Sequence, residues 1–180
     1  MEFTFVGGNL GLDLAGTVGA RRSRLVELLP TPVDLARWTV AANLLDTEPA
    51  VTEADFTAAQ ELREAVYRLA IAAREGTAYD ATDLAVLNRA AEPAPPTLRL
   101  DGPGTLARTG GVRAALAAAA RASAELLGGP DAARVRECEA GDCTRLYVDA
   151  SHRGTRRWCD MRGCGNRAKA SAYRARHKPA

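Results

Sequence analysis

Four cysteines crowd into the last 43 residues of this 180-residue chain, as Cys138-x4-Cys143, then fifteen residues, then Cys159-x4-Cys164. Two short-spaced pairs suit a tetrahedral metal centre, because each pair supplies two corners from one tight turn. Glu139-Ala140-Gly141-Asp142, inside the first pair, has the small and turn-forming residues such a knuckle requires. One zinc ion is the expected occupant. Four soft thiolates close its coordination shell and leave no position for a substrate, so its role is structural. A module this small has little core of its own, and metal binding would supply much of its folding free energy. Leu146-Tyr147-Val148 and Arg156-Arg157-Trp158 are read as a hairpin that brings the two pairs together.

The competing readings are a disulfide pair, reactive thiols or buried free cysteines. The opening residues, Met1-Glu2-Phe3-Thr4-Phe5-Val6-Gly7-Gly8, lack the basic region and long apolar run of a secretory signal. The expected location is therefore cytoplasmic, where reducing conditions disfavour disulfides. No membrane span is expected either: the most apolar stretch, 112–127, is alanine-rich and interrupted by Arg113, Arg121 and Glu125.

The net charge of +2 hides an asymmetry. Residues 1–133 carry 12 basic and 17 acidic groups, a balance of −5, while residues 134–180 carry 12 basic and 5 acidic groups, a balance of +7. An acidic body with a basic end is the pattern expected when one end meets a polyanion. Gly128-Gly129-Pro130 punctuates the chain where the sign changes, so the sequence divides into domains at 1–130 and 131–180.

The body reads as α+β and mostly helical, with a few short strands. Thr31 and Pro32 start one helix, with Leu35, Trp38, Ala42 and Leu45 on its apolar side. Thr52 and Asp55 open a longer one, striped by Phe56, Ala59, Leu62, Val66, Leu69 and Ala73 and ended by Gly76. A helix from Asp80 to Ala91 stops at Pro93/Pro95/Pro96, and another runs from Gly111 to Leu127. Between them, 97–100 and 105–108 read as a hairpin around Asp101-Gly102-Pro103-Gly104. Near the start, Leu10, Leu12 and Leu14 alternate as in a strand, with a short helix from Leu12 as the alternative.

After Cys164 the chain is a good helix former with basic faces: Arg167, Ser171, Arg174 and Lys178 on one, Lys169, Tyr173 and Arg176 beside it. Ala168, Ala172 and Ala175 form a narrow stripe suited to lying against the hairpin, and Arg153, Arg156, Arg157 and Arg162 add charge upstream. From Met161 to Ala180 there is no Asp or Glu to form helix ion pairs. A face of like charges repels itself, so an external polyanion accounts for it better than solvent alone. Arginine and lysine suit phosphates, arginine also reads guanine edges, and Tyr173 can stack or reach a phosphate. DNA is the expected partner; RNA, or a protein docked on a zinc-held surface, is the alternative.

The run Cys159-Asp160-Met161-Arg162-Gly163-Cys164-Gly165-Asn166-Arg167, after Arg156-Arg157-Trp158 and before the basic helix, resembles the CGNR zinc finger. That resemblance implies a treble-clef-like module in which Cys138, Cys143, Cys159 and Cys164 bind zinc and the basic residues contact DNA. The body resembles the ABATE domain of stress-induced transcription regulators. The carrying residues are Gly7-Gly8, Leu12-Asp13, Thr17, Pro32-Val33-Asp34-Leu35 with Trp38, and Leu62-Arg63-Glu64-Ala65-Val66-Tyr67. Leu14-Ala15-Gly16-Thr17 departs from the family's aromatic-x-Asn-Thr. A sensor role is implied for this domain, with a small-molecule effector meeting Asp13, Thr17 and Trp38.

Enzyme chemistry finds no support. The only histidines, His152 and His177, lie in the basic module without an orienting carboxylate or nucleophile. Gly7-Gly8, Gly110-Gly111 and Gly128-Gly129 match no phosphate loop or dinucleotide fingerprint. Glu61 and Glu64 are read as solvated. A homodimer would double DNA contacts, though nothing in the sequence specifies one.

Overall fold

The computed structural model describes residues 3–177. Its elements run α1 (Leu10–Ala15), β1 (Val18–Gly19), β2 (Val26–Glu27), α2 (Pro32–Ala41), α3 (Glu53–Glu75), α4 (Ala81–Ala91), β3 (Thr97–Gly102), β4 (Thr105–Thr109), α5 (Val112–Gly128), β5 (Val135–Glu137), β6 (Leu146–Val148) and α6 (Asn166–Arg176). A 3-10 turn, Pro130–Arg134, precedes β5, and a π-helical turn, Met161–Gly165, precedes α6. The strands form three separate antiparallel pairs, β1–β2, β3–β4 and β5–β6. The fold is thus α+β and mostly helical. No described helix is long and apolar enough to cross a membrane.

Local chemistry sets the helix ends. Thr31 accepts from the Asp34 amide ahead of Pro32, and Thr52 and Asp55 form a reciprocal capping box at α3. Gly76 closes α3 at φ 68°, a left-handed conformation glycine adopts without a Cβ penalty. Asp80 caps α4 through the Thr82 and Asp83 amides.

α1, α3, α4 and α5 pack around a core that includes Leu12, Leu62, Val66, Leu69, Leu87 and Leu116, with Leu35 and Trp38 of α2. Each such large side chain, fully buried, contributes roughly 1.5–3 kcal/mol. α5 is buried on several sides because its alanines, including Ala115, Ala119 and Ala120, let neighbours approach closely. At the α1–α5 crossing that approach is tightest at Gly11, where a Cβ would lie 1.7 Å from the Ser123 hydroxyl oxygen.

The strand reading of Leu10/Leu12/Leu14 is corrected: this stretch is helical. The Asn9 side chain accepts from the Gly11 amide, and the turn buries Gly11, Leu12, Leu14 and Ala15 together. The alternation is an accident of a short helix wedged between larger ones. Glu64 also departs from the solvated reading. It pairs with Arg21 (2.5 Å) and Arg63 (3.0 Å), and buried Arg63 makes two bonds of 2.8 Å to Glu27. This network ties the β1–β2 hairpin to α3.

Candidate metal centre and nucleic-acid interface

β5 delivers the chain to Cys138, and a knuckle turns it back. The Cys143 amide donates to the Ala140 carbonyl (2.7 Å) and the Cys138 amide to the Arg145 carbonyl (3.0 Å). That return aligns β6 with β5, pairing Val135 with Val148 and Glu137 with Leu146. The expected pairing of 146–148 with 156–158 is therefore corrected. β6 finds its partner on the near side of the knuckle, where Val135, Leu146 and Tyr147 become buried together. Residues 156–158 approach differently: the Tyr147 hydroxyl donates to the Arg156 carbonyl (2.5 Å), and the Glu139 amide to the Arg157 carbonyl (2.9 Å).

Asp149 organises the loop that returns to the second cysteine pair. Its buried carboxylate accepts from the Ser151 amide (2.9 Å) and hydroxyl (2.6 Å) and the Arg156 amide (3.1 Å). The Ser151 bonds lead in holding its pKa below the ordinary carboxylate value. Asp160 accepts from the Arg162 and Gly163 amides and starts the π-helical turn that carries Cys164. Gly165 packs so closely on Met161 that a Cβ would meet its sulfur at 2.8 Å.

The four cysteine sulfurs lie within 4.8 Å of one another. Cys143–Cys159 and Cys159–Cys164 are 3.8 Å and 3.7 Å apart. A zinc tetrahedron with Zn–S bonds of about 2.3 Å has edges of about 3.8 Å, so the donor set and its size fit one zinc ion. Without a cation, contact among the thiols splits their protonation. Hydrogen bonds from Cys143 and Cys159 pull the Cys138 thiol down, whereas hydrogen bonding to Cys138 pushes Cys143 up to about 11 and Cys159 upward too. A divalent ion bound by the four cysteines would hold them all as thiolates. Arg167 donates to the Cys164 sulfur at 3.0 Å, a positive outer contact on one ligand.

The expected basic contacts separate into inward and outward groups. The Arg156 guanidinium lies 4.3 Å over the Tyr147 ring and donates to the carbonyls of Val6, Trp158 and Cys159, so it is an inward clamp that also ties the module to the body. Arg157 pairs with Glu139 (2.6 Å) and lies over Trp158, which packs on the sulfur cluster. Arg153, Arg162, Arg167, Lys169 and Arg174 are exposed. Tyr173 is exposed and stacked on His177 at 4.1 Å. Lys178 lies outside the described residues, as do the side chains of Ala172, Ala175 and Arg176.

Asp13, Thr17 and Trp38 do not converge on one cavity. Asp13 accepts from the Gly7 amide (2.8 Å), and burial raises its pKa to about 6. Thr17 donates to the Leu14 carbonyl (2.7 Å), while Trp38 is fully buried with its ring 6.3 Å from Phe5. A groove of about 360 Å³ between α3, α4 and α5, lined by Asp55, Leu62, Val86, Arg89, Arg113 and Leu116, contains none of the three.

Sequence reasoning missed the joint between module and body. The Val148 amide donates to the Gly7 carbonyl, the Arg21 amide to the Thr144 hydroxyl, and Glu137 pairs with Arg22 and Arg74.

Two family models match the chain. ABATE, described as "Putative stress-induced transcription regulator", matches residues 8–130, and the CGNR zinc finger matches residues 134–177. No curated protein matches.

Proposed function

We propose that this chain, which belongs to the ABATE family and ends in a CGNR zinc finger, is a zinc-dependent DNA-binding regulator of transcription. Both families are of regulator and zinc-finger type, not enzymes. The observation that carries the proposal is an unneutralised cationic surface beside the sulfur cluster. Among the described residues, no carboxylate pairs with Arg153, Arg162, Lys169 or Arg174. In this reading Cys138, Cys143, Cys159 and Cys164 hold one structural zinc. The metal fixes where α6 begins, and α6 presents Arg167, Lys169, Tyr173 and Arg174 to the phosphates and groove edges. Arg156 keeps its place as the inward clamp. Residues 1–130 form the regulatory domain, and residues 131–180 bind DNA in the cytoplasm.

The test is a mobility shift with genomic fragments, using protein of assayed zinc content with and without chelator. Binding is expected to need zinc and to weaken steeply with salt through counterion release. Replacing Lys169 and Arg174 together with alanine should leave zinc bound and lower the salt slope by about 2. Full zinc occupancy with no DNA affinity at low salt sinks the proposal, and preference for single-stranded RNA moves it to the RNA reading.

A further inference from the structure

The β3–β4 hairpin is the least covered part of the body. Leu98 and Leu100 are 63% and 76% exposed, and Leu106, opposite Leu100, is 38% exposed. A lone two-stranded hairpin is marginal in water, and a free edge with apolar neighbours invites another strand. The two edges differ. On β4, the Arg108 amide donates to the Asp46 carboxylate (2.6 Å) and the Arg108 carbonyl accepts from the Asp46 amide (3.2 Å), so residue 46 blocks that edge. β3 has no pairing strand besides β4 among the described residues.

The same bonds fix which groups β3 presents. Because the Arg108 N–H and C=O point away from β3, its register partner Leu98 belongs to a non-hydrogen-bonded pair. The backbone N–H and C=O of Leu98, and two residues on those of Leu100, therefore point out of the free edge. Arg99 and Asp101 lie on one face of the strand, already paired at 2.9 Å.

We propose that β3 pairs with β3 of a second copy of this chain, antiparallel about a two-fold axis at Leu100, giving a four-stranded sheet across a homodimer. The sequence is self-complementary in that register. Leu100 exchanges both backbone bonds with the second copy's Leu100, and Leu98 faces the second copy's Gly102, which lies beyond the irregularity that β3 carries between Leu100 and Gly102. Arg99 stands opposite the second copy's Asp101, and the reverse, so charge is matched twice. The register a full residue away sets Arg99 against Leu100 and Leu98 against Asp101, losing both charge pairs. One shared strand edge is a small interface, so the dimer is weak. Two copies so joined would carry two basic modules to one DNA, a consequence that rests on the DNA reading. The pairing itself does not.

The test is sedimentation equilibrium of the zinc-loaded full chain without DNA, over a concentration series reaching the millimolar range. The wild type should dimerise reversibly. Arg99→Asp or Asp101→Arg alone sets like charges opposite each other twice and should raise the dissociation constant about tenfold or more. The double variant R99D/D101R restores complementarity and should bring it back near the wild-type value. Unchanged melting temperatures verify that the exposed substitutions leave each monomer folded. A monomer throughout, a dimer indifferent to the single reversals, or a double variant as weak as the singles would each overturn the proposal. A dimer lost only with Leu98→Ser and Leu106→Ser would do the same and point to the leucine face.

Discussion

In the body, aliphatic side chains from five helices share one core, and the polar contacts at its edges trim what packing has already fixed. In the module, the buried cluster is Tyr147 with Cys138, Cys159 and Cys164, and the loops that join β6 to α6 are held by Asp149, Asp160 and Arg156. The hairpin β5–β6 belongs to both: Val135 and Leu146 face the body's core, Cys138 and Tyr147 the sulfurs. Hydrophobic order is distributed and survives the loss of any one residue. Order set by four ligands around one ion is concentrated and does not.

Metal removal should therefore divide the molecule. Structural zinc contributes on the order of 10 kcal/mol to a small module, more than any single side chain here. With chelator, or in Cys159→Ser, the amides of residues 149–176 should lose their hydrogen-exchange protection, while α3 and α5 keep theirs. Val135 and Leu146 should leave β5–β6 partly protected. If α3 and α5 exchange as fast as α6 once zinc is gone, body and module are one cooperative unit and the contrast fails.

The opposite cut comes from the core. Leu62, 1% exposed, lies between α3 and its neighbours, and Leu62→Ala should cost about 2–5 kcal/mol, read as a lower melting temperature. Zinc stoichiometry should stay at one per chain. Zinc loss in this variant would show that the module depends on the body's packing.

Much of this contrast was legible in the chain. Caps at Thr31, Thr52 and Asp80 and the stop at Gly76 are local chemistry, and α2, α3 and α4 begin and end there. The four cysteines announced their own proximity. Other features depend on neighbours that sequence order does not reveal. Leu10–Ala15 is helical because α3 and α5 receive it from both sides. Arg156 looks like its outward neighbours until the carbonyls of Val6 and Cys159 are seen around it. Glu64 looked solvated because its partner Arg21 stands 43 residues away.

Close approach without a side chain gives a smaller effect. Gly11→Ala places a methyl group against the Ser123 hydroxyl and should destabilise the body by about 1–3 kcal/mol. Adding Ser123→Ala removes the oxygen in conflict and should recover part of that loss. Equal melting temperatures for the single and double variants would mean that strain at this crossing is relieved elsewhere.

The smallest expected effect lies at the joint itself. Burial raises the Asp13 pKa from 3.8 to about 6, against the opposing pull of the Gly7 and Val6 amides and of Arg145 from the module. A folded-state pKa above the unfolded value means that the native protein holds this proton more tightly. Asp13 therefore favours folding below about pH 4, and that contribution is lost as pH rises to about 6. Screening at a partly exposed site leaves a swing on the order of 1–2 kcal/mol. Asp55, Glu64, Asp149 and Asp160 have lowered values and act in the opposite sense, so the signal is the difference between wild type and Asp13→Asn. The amide can still accept from Gly7 but carries no charge to desolvate. The variant should gain stability relative to wild type between pH 4 and 6 and hold the gain above it. A constant offset across that range would mean that Asp13 keeps its charge as easily as an exposed carboxylate, and that the seam between body and module is wetter than its geometry implies.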